Sequence, residues 1–113
     1  MSEFNALVRA ARSGSGLSVR SLADLVNKNG ITTVTGSMIS AIEMGKPCSF
    51  RLAVALADVL NLDTQKVLEA AFLARVRYAV ERERHSLEEC LSTLPGGRKL
   101  DVEKITRLPS RLE

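Results

Sequence analysis

The side chains that could perform covalent or metal chemistry are few in this chain and lie far apart. Cys48 and Cys90 do not form a CxxC pair, and His85 is the single histidine. A zinc site needs closely spaced Cys and His ligands, and a general base needs a partner such as Ser or Asp beside it. The sequence therefore predicts no enzyme, no metal and no cofactor. It favours ordinary thiols in a reducing cytoplasm, with a redox sensor at Cys48 as the alternative.

A different chemistry, non-covalent contact with base edges, is available in a short helical pattern rich in small polar residues. Thr35 precedes the segment GSMISAIE, and the N-terminal turns of such a helix can reach base edges in the major groove of B-DNA. The candidate base contacts are Thr35, Gly36, Ser37, Met38, Ser40 and Ala41. The alternative is a solvated helix of small residues in a protein-interaction domain.

The candidate helix has no Arg, Gln or Asn, which are the residues that make bidentate contacts with bases. Direct readout of the base sequence is therefore predicted to be weak. More weight falls on DNA shape and on Lys28 and Asn29, which belong to the preceding turn.

The elements that must position these residues are predicted to be helices. The chain has 113 residues, enough for one domain or for one small domain with an appendage. Its composition is 45% hydrophobic but only 4% aromatic, so the core must be aliphatic, which is typical of packed helices. The net charge of +3 is compatible with a nucleic-acid partner but is too modest to indicate one.

The first 74 residues read as a helical domain. Five helices are predicted. The first covers residues 3–12, the third 36–44 and the fourth 50–60, and the fifth begins at Gln65. Ser18, Thr35 and Ser49 are predicted to cap the second, third and fourth helices. The second helix should bury Leu22, Ala23, Leu25 and Val26, and the fourth should be the most buried element. Residues 31–35 are predicted to form an extended turn with Ile31 or Val34 in the core.

Residues 75–113 read as a C-terminal helical dimerisation segment with a tail. No Gly or Pro interrupts the pattern from Gln65 to Pro95, so the prediction is one long helix or a helix hairpin that breaks around His85 and Ser86. Another helical turn is predicted after an Asp101 cap. The narrow apolar stripe is typical of a helix-pair seam. The predicted dimerisation residues are Val76, Val80, Leu87, Cys90, Leu91 and Leu94.

The spacing in the first domain resembles the five-helix DNA-binding domain of lambda-type phage repressors, Cro proteins and XRE-like bacterial regulators. Leu17, Ser18, Leu22 and Ala23 match its second helix, and the segment ISAIEMGKP at 39–47 matches the third helix and the following loop. The segment LAVALADVLNL at 52–62 matches the fourth helix. The likeness covers Phe4 to about Leu73.

This resemblance implies a helix-turn-helix fold that binds double-stranded DNA. It implies phosphate contacts from Ser18, Arg20, Lys46 and Arg51, and a structural role for Glu43, which would hold the loop after the recognition helix. The chain departs from the family in two places: the turn NKNGITTVT is longer than the usual "GVS", and Val19 stands where the family usually has glutamine.

The predicted function is a sequence-specific, cytoplasmic DNA-binding regulator, in the form of a dimeric repressor that binds an inverted-repeat operator. The alternative is an antitoxin or adaptor whose C-terminal segment binds a protein partner, with DNA binding secondary. No segment approaches the roughly 20 apolar residues of a membrane span, so no membrane partner is predicted.

Overall fold

The computed structural model describes residues 3–93 and 102–107, and every regular element in these two ranges is helical. The predicted all-α class is therefore confirmed. The chain divides after Tyr78 into two compact units. The helices are α1 (Glu3–Gly14), α2 (Val19–Asn29), α3 (Gly36–Glu43), α4 (Phe50–Val59), α5 (Thr64–Leu91) and α6 (Val102–Thr106).

Four helices of the first unit begin at side-chain caps, and three of them, α2, α3 and α4, do so as predicted. In the fourth, α5, Asp63 Oδ1 accepts a hydrogen bond from the Gln65 amide at 3.0 Å. Ser18 Oγ accepts a hydrogen bond from the Ser21 amide at 3.0 Å, and Thr35 Oγ1 accepts one from the Met38 amide at 3.2 Å. Ser49 Oγ accepts one from the Leu52 amide at 3.2 Å. Each bond satisfies an amide that has no partner inside its helix, which fixes where α2, α3 and α4 begin.

Residues with left-handed backbone follow four of the helices: Gly16 after α1, Gly30 after α2, Gly45 after α3 and Asn61 after α4. Gly45, at φ 110°, lets the Lys46 amide donate to the Ala41 carbonyl at 3.0 Å, which closes α3 as the sequence predicts. Gly16, at φ 70°, lets the Leu17 amide donate to the Arg12 carbonyl at 3.2 Å. This bond closes α1, whose last turn continues to Gly14. The prediction that α1 ends at Arg12 was therefore wrong by two residues, because the chain reverses only at Gly16.

The core of the first unit lies around α4, which buries half of its ten residues, as predicted for the most buried element. Val34 from the turn also enters the core, whereas Ile31 is exposed. The predicted burial of Leu25 was wrong, because this residue is exposed, and Phe50 at the start of α4 is exposed as well. Cys48 and Leu60, which lie between helices, also belong to the core. The other core residues come from the remaining four helices of the unit: Phe4, Val8, Leu22, Ala23, Val26, Ile39, Ile42, Val67, Ala70, Ala71 and Ala74.

Helix α5 is continuous over 28 residues, so the first of the two predicted arrangements, one long helix, is confirmed, and the alternative hairpin with a break near His85 and Ser86 is wrong. Its buried residues are Val67, Ala70, Ala71 and Ala74, and these small side chains attach α5 to the core of the first unit. The residues predicted for dimerisation, which begin at Val76, are therefore not among the buried residues of α5. No helix in the described residues is both long and apolar enough to cross a bilayer.

The described part of the second unit contains the last turns of α5 and the short helix α6, in agreement with the predicted helical turn near residue 102. Val80 and Leu87 of α5 and Ile105 of α6 line one open groove there. Cys90 is exposed, and Leu91 is half-buried. Leu94 and Asp101, which the sequence assigns to the dimer seam and to a helix cap, lie outside the described residues.

Candidate nucleic-acid interface

The beginnings of α2 and α3 lie against each other. A Cβ atom added at Gly36 would stand 3.6 Å from Val19 Cγ1 and 3.8 Å from Arg20 Cα. Both helices also start at a polar cap, Ser18 or Thr35, so two sets of free helix amides are close together. This packing brings together two predicted contact residues, Arg20 and Gly36, that most of α2 and the following turn separate in the sequence.

Helix α3 packs its apolar face against the core and exposes its polar face to solvent. Ile39 and Ile42 are buried, whereas Ser37 and Ser40 are exposed. None of the predicted DNA-contact residues is buried. The exposed ones are Ser18, Arg20, Lys28, Thr35, Ser37, Met38, Ser40, Lys46 and Arg51, and the half-buried ones are Asn29, Gly36 and Ala41.

A bidentate ion pair between Arg12 and Glu43 joins the end of α3 to α1. Arg12 Nε donates to Glu43 Oε2 at 2.6 Å, and Arg12 Nη2 donates to Glu43 Oε1 at 3.0 Å. These hydrogen bonds raise the pKa of Arg12 above its usual value. Arg12 also donates to the Leu17 carbonyl at 2.8 Å, and Asn5 Nδ2 donates to the Glu43 carbonyl at 3.2 Å. Glu43 therefore joins the end of α3 to α1, whereas the sequence had assigned it to holding the loop after α3.

The partner of Glu43 was not identified from the sequence, which places Arg12 simply on the polar side of α1. In the structure only 18% of the Arg12 side chain and 8% of the Glu43 side chain are exposed. The two residues are 31 positions apart, so no local pattern indicates the pair. Its effect is to fix the orientation of α3 relative to α1.

The long turn before α3 is held by asparagine side chains. Asn27 Oδ1 accepts from the Val34 amide at 2.7 Å, and Asn27 Nδ2 donates to the Val34 carbonyl at 2.9 Å. Asn29 Nδ2 donates to the Asp58 carboxylate, and Asn29 Oδ1 accepts from the Ile31 amide. The amide of Asn29, a candidate base reader, therefore already has partners within the chain. Lys28 remains exposed for contact with a ligand.

The loop between α3 and α4, which carries Lys46, is fastened to α5 by Arg75. Arg75 Nη1 donates to the Cys48 carbonyl at 3.0 Å, and the guanidinium lies 5.1 Å from the centre of the Phe50 ring. Although Phe50 is exposed, one face of its ring is therefore in a cation–π contact with Arg75. Arg75 was not singled out by the sequence, because the residues it contacts lie in a different element.

The surface around α3 carries more positive than negative charge. Residues 18–51 contain four exposed cations, Arg20, Lys28, Lys46 and Arg51. Of the two carboxylates in the same range, Glu43 is paired with Arg12 and Asp24 is exposed. Such a surface can attract a polyanion and contact phosphates on either side of the exposed face of α3.

We expect Cys48 to be much less reactive than Cys90 in the folded protein. Cys48 is buried, and burial raises the pKa of its thiol to about 11, although nearby Arg75 acts in the opposite direction. Because the thiolate is the reactive form, iodoacetamide at pH 8 should modify the exposed Cys90 and leave Cys48 unmodified. Mass spectrometry of the native protein and of protein in urea measures this. Equal labelling of both cysteines before denaturation would contradict the buried position of Cys48.

The remaining reactive side chains do not form a cluster. His85 is exposed on α5, with Nε2 2.9 Å from Glu89 Oε1. Within residues 3–93 and 102–107, no three His, Cys, Asp or Glu side chains are placed to hold a metal ion. Comparisons of the chain with family models, with curated proteins and with solved structures found no match.

Proposed function

We propose that the protein is a sequence-specific DNA-binding regulator, acting as a dimeric repressor on an inverted-repeat operator. The observation that carries this proposal is the exposed face of α3, which starts beside the N-terminus of α2. The segments that precede and follow α3 in the sequence carry four exposed cations. A helix fits the major groove, and flanking cations and free helix amides suit the phosphates at its edges. The proposal includes a lambda-repressor-like layout of the first five helices.

In this proposal α3 is the recognition helix. Ser37 and Ser40 on its outer face approach base edges, while Ser18 and Arg20 at the start of α2 contact one phosphate strand. Lys46 and Arg51, before and within α4, contact the other. The ion pair of Arg12 with Glu43 keeps α3 in the orientation that all these contacts need.

Binding by an isolated unit would give a short contact with one half-site, so the proposal includes a homodimer. Two recognition helices related by a two-fold axis must be about 34 Å apart to enter successive major grooves. Helix α5 offers an exposed apolar surface in the first unit: Phe72 is 55% and Leu73 38% exposed, and Leu68 and Val76 of the same helix are half-buried. This surface adds Leu68, Phe72 and Leu73 to the dimerisation residues predicted from the sequence.

Replacing Phe72 with Lys should weaken the dimer by about a hundredfold or more, since each copy would lose the burial of one aromatic side chain. Sedimentation equilibrium or light scattering across a concentration series measures the change. The matched control is Ala10→Lys, which adds the same charge at an exposed position of α1. A protein that is monomeric at all concentrations before any substitution would contradict the dimer.

DNA binding is tested by selecting duplexes from a random-sequence pool with the purified protein, followed by mobility-shift titration of the selected duplex. We expect a preferred site with two-fold symmetry and an affinity that falls as the salt concentration rises. Failure to retain any duplex at micromolar protein and low salt would refute the proposed function.

The groove of the second unit favours a second candidate, a protein-interaction role with DNA binding secondary. Val80, Leu87 and Ile105 provide apolar surface there, and Glu83 and Arg84 provide charges of both signs. An antitoxin or adaptor would use such a groove for a protein segment. An Ile105→Asp variant that keeps full DNA binding and dimerisation but loses a co-purifying protein would favour this alternative.

A further inference from the structure

The long side chains of the α3 segment, Gly36–Met44, are divided between two environments. Ile39 and Ile42 are buried in the core, and Glu43 is held by Arg12. Met38 and Met44 are the other long side chains of this fully described segment, and they are 45% and 87% exposed. The side chains that α3 can extend into a groove are therefore two methionines, accompanied by short Ser and Ala residues.

These methionines belong to one apolar row. Residues three apart are neighbours on a helix surface, so Met38, Ala41 and Met44 follow one another along α3. Ser37 and Ser40 lie next to this row. A serine hydroxyl can either donate or accept, and it therefore discriminates poorly between bases.

The charges around this row indicate what would cover it. Arg20, Lys28, Lys46 and Arg51 are all exposed on the segments adjoining α3, and these cations suit a polyanion better than an apolar protein surface. The major groove of DNA offers one apolar group among its polar edges, the 5-methyl group of thymine. Unbranched methionine side chains adapt well to such isolated apolar contacts.

We propose that Met38, Ala41 and Met44 read the thymine methyl groups of the operator, so that the protein selects sites by the positions of T·A pairs. This inference rests on the proposed function and assigns a specificity role to Met44. It also accounts for the lack of a free amide reader near α3, since Asn29 is bonded to Asp58 and to the Ile31 amide.

The test uses the duplex selected from the random pool, resynthesised with deoxyuridine in place of every thymidine. This change removes the methyl groups and leaves base pairing and the hydrogen-bonding edges intact. Affinity measured by fluorescence anisotropy should fall about fourfold for each contacted methyl group. The penalty should shrink in the Met38→Ala/Met44→Ala variant to the part that Ala41 contributes, and it should persist in Met38→Leu/Met44→Leu, which keeps long apolar side chains.

The control variant is Leu25→Ala, which removes an exposed apolar side chain from α2 and should retain the full uracil penalty. Equal affinity for the thymine and uracil duplexes would overturn methyl readout while leaving the DNA-binding function in place. An undiminished penalty in the double alanine variant would also overturn it, because the penalty would then arise from DNA shape. Failure to retain any duplex would overturn both the inference and the proposed function.

Discussion

Replacement of Glu43 by Ala is expected to lower the free energy of unfolding by about 2–3 kcal/mol. Removing one member of a buried ion pair leaves the other charge without compensation, which costs about 3–5 kcal/mol in fully buried cases. The value here should be smaller, because Arg12 is 18% exposed and also donates to the Leu17 carbonyl. Urea denaturation followed by circular dichroism measures the change as a lower midpoint with an unchanged slope.

The matched control is Glu81→Ala, which removes a carboxylate from an exposed position of α5. Surface substitutions of this kind usually change stability by less than about 0.5 kcal/mol. An Arg12→Ala/Glu43→Ala double variant should lose less than the sum of the two single losses, because the residues interact directly. Equal effects of Glu43→Ala and Glu81→Ala would contradict a stabilising role for the pair.

The second large effect concerns DNA binding. Ser37→Glu places a carboxylate on the outer face of α3, and Lys46→Glu reverses a charge in the loop after it. Each change should weaken binding by about tenfold or more, because a like charge near phosphate costs up to several kcal/mol. For Lys46→Glu, the slope of log affinity against log salt should also fall by about 1 in magnitude.

Controls for these substitutions make the same changes at other exposed positions of the chain. Ser86→Glu and Lys66→Glu, both on α5, alter side chain and charge in the same way away from α3. They should leave the affinity for the selected duplex within about twofold, a small surface effect. If Ser37→Glu and Lys46→Glu bind as tightly as these controls, α3 is not the DNA-binding surface.

Much of the local structure was predictable because its causes are local. The caps Ser18, Thr35 and Ser49 act on amides only three residues away, and Gly45 ends α3 through its own backbone angle. Apolar periodicity likewise located the helices and the deeply buried α4. These interactions depend on neighbours in the sequence, so residue type and spacing are sufficient to read them.

The continuity and burial of α5 were harder to predict, because its apolar residues exceed what the core can cover. The sequence shows one stripe, whereas the fold buries Val67, Ala70, Ala71 and Ala74 and leaves Phe72 exposed. Small alanines permit close helix packing, and a large Phe on the adjacent face has no partner there. Hydrophobicity alone does not distinguish these two faces.

The candidate site shows the same division between local and long-range causes. Residue types around 35–46 were enough to predict a short helix with small polar residues that starts after the Thr35 cap. The bonds of Arg12 with Glu43, of Asn29 with Asp58 and of Arg75 with the Cys48 carbonyl depended on the fold. Each joins residues 27 or more positions apart, and such pairs form only once helix packing has brought their elements together.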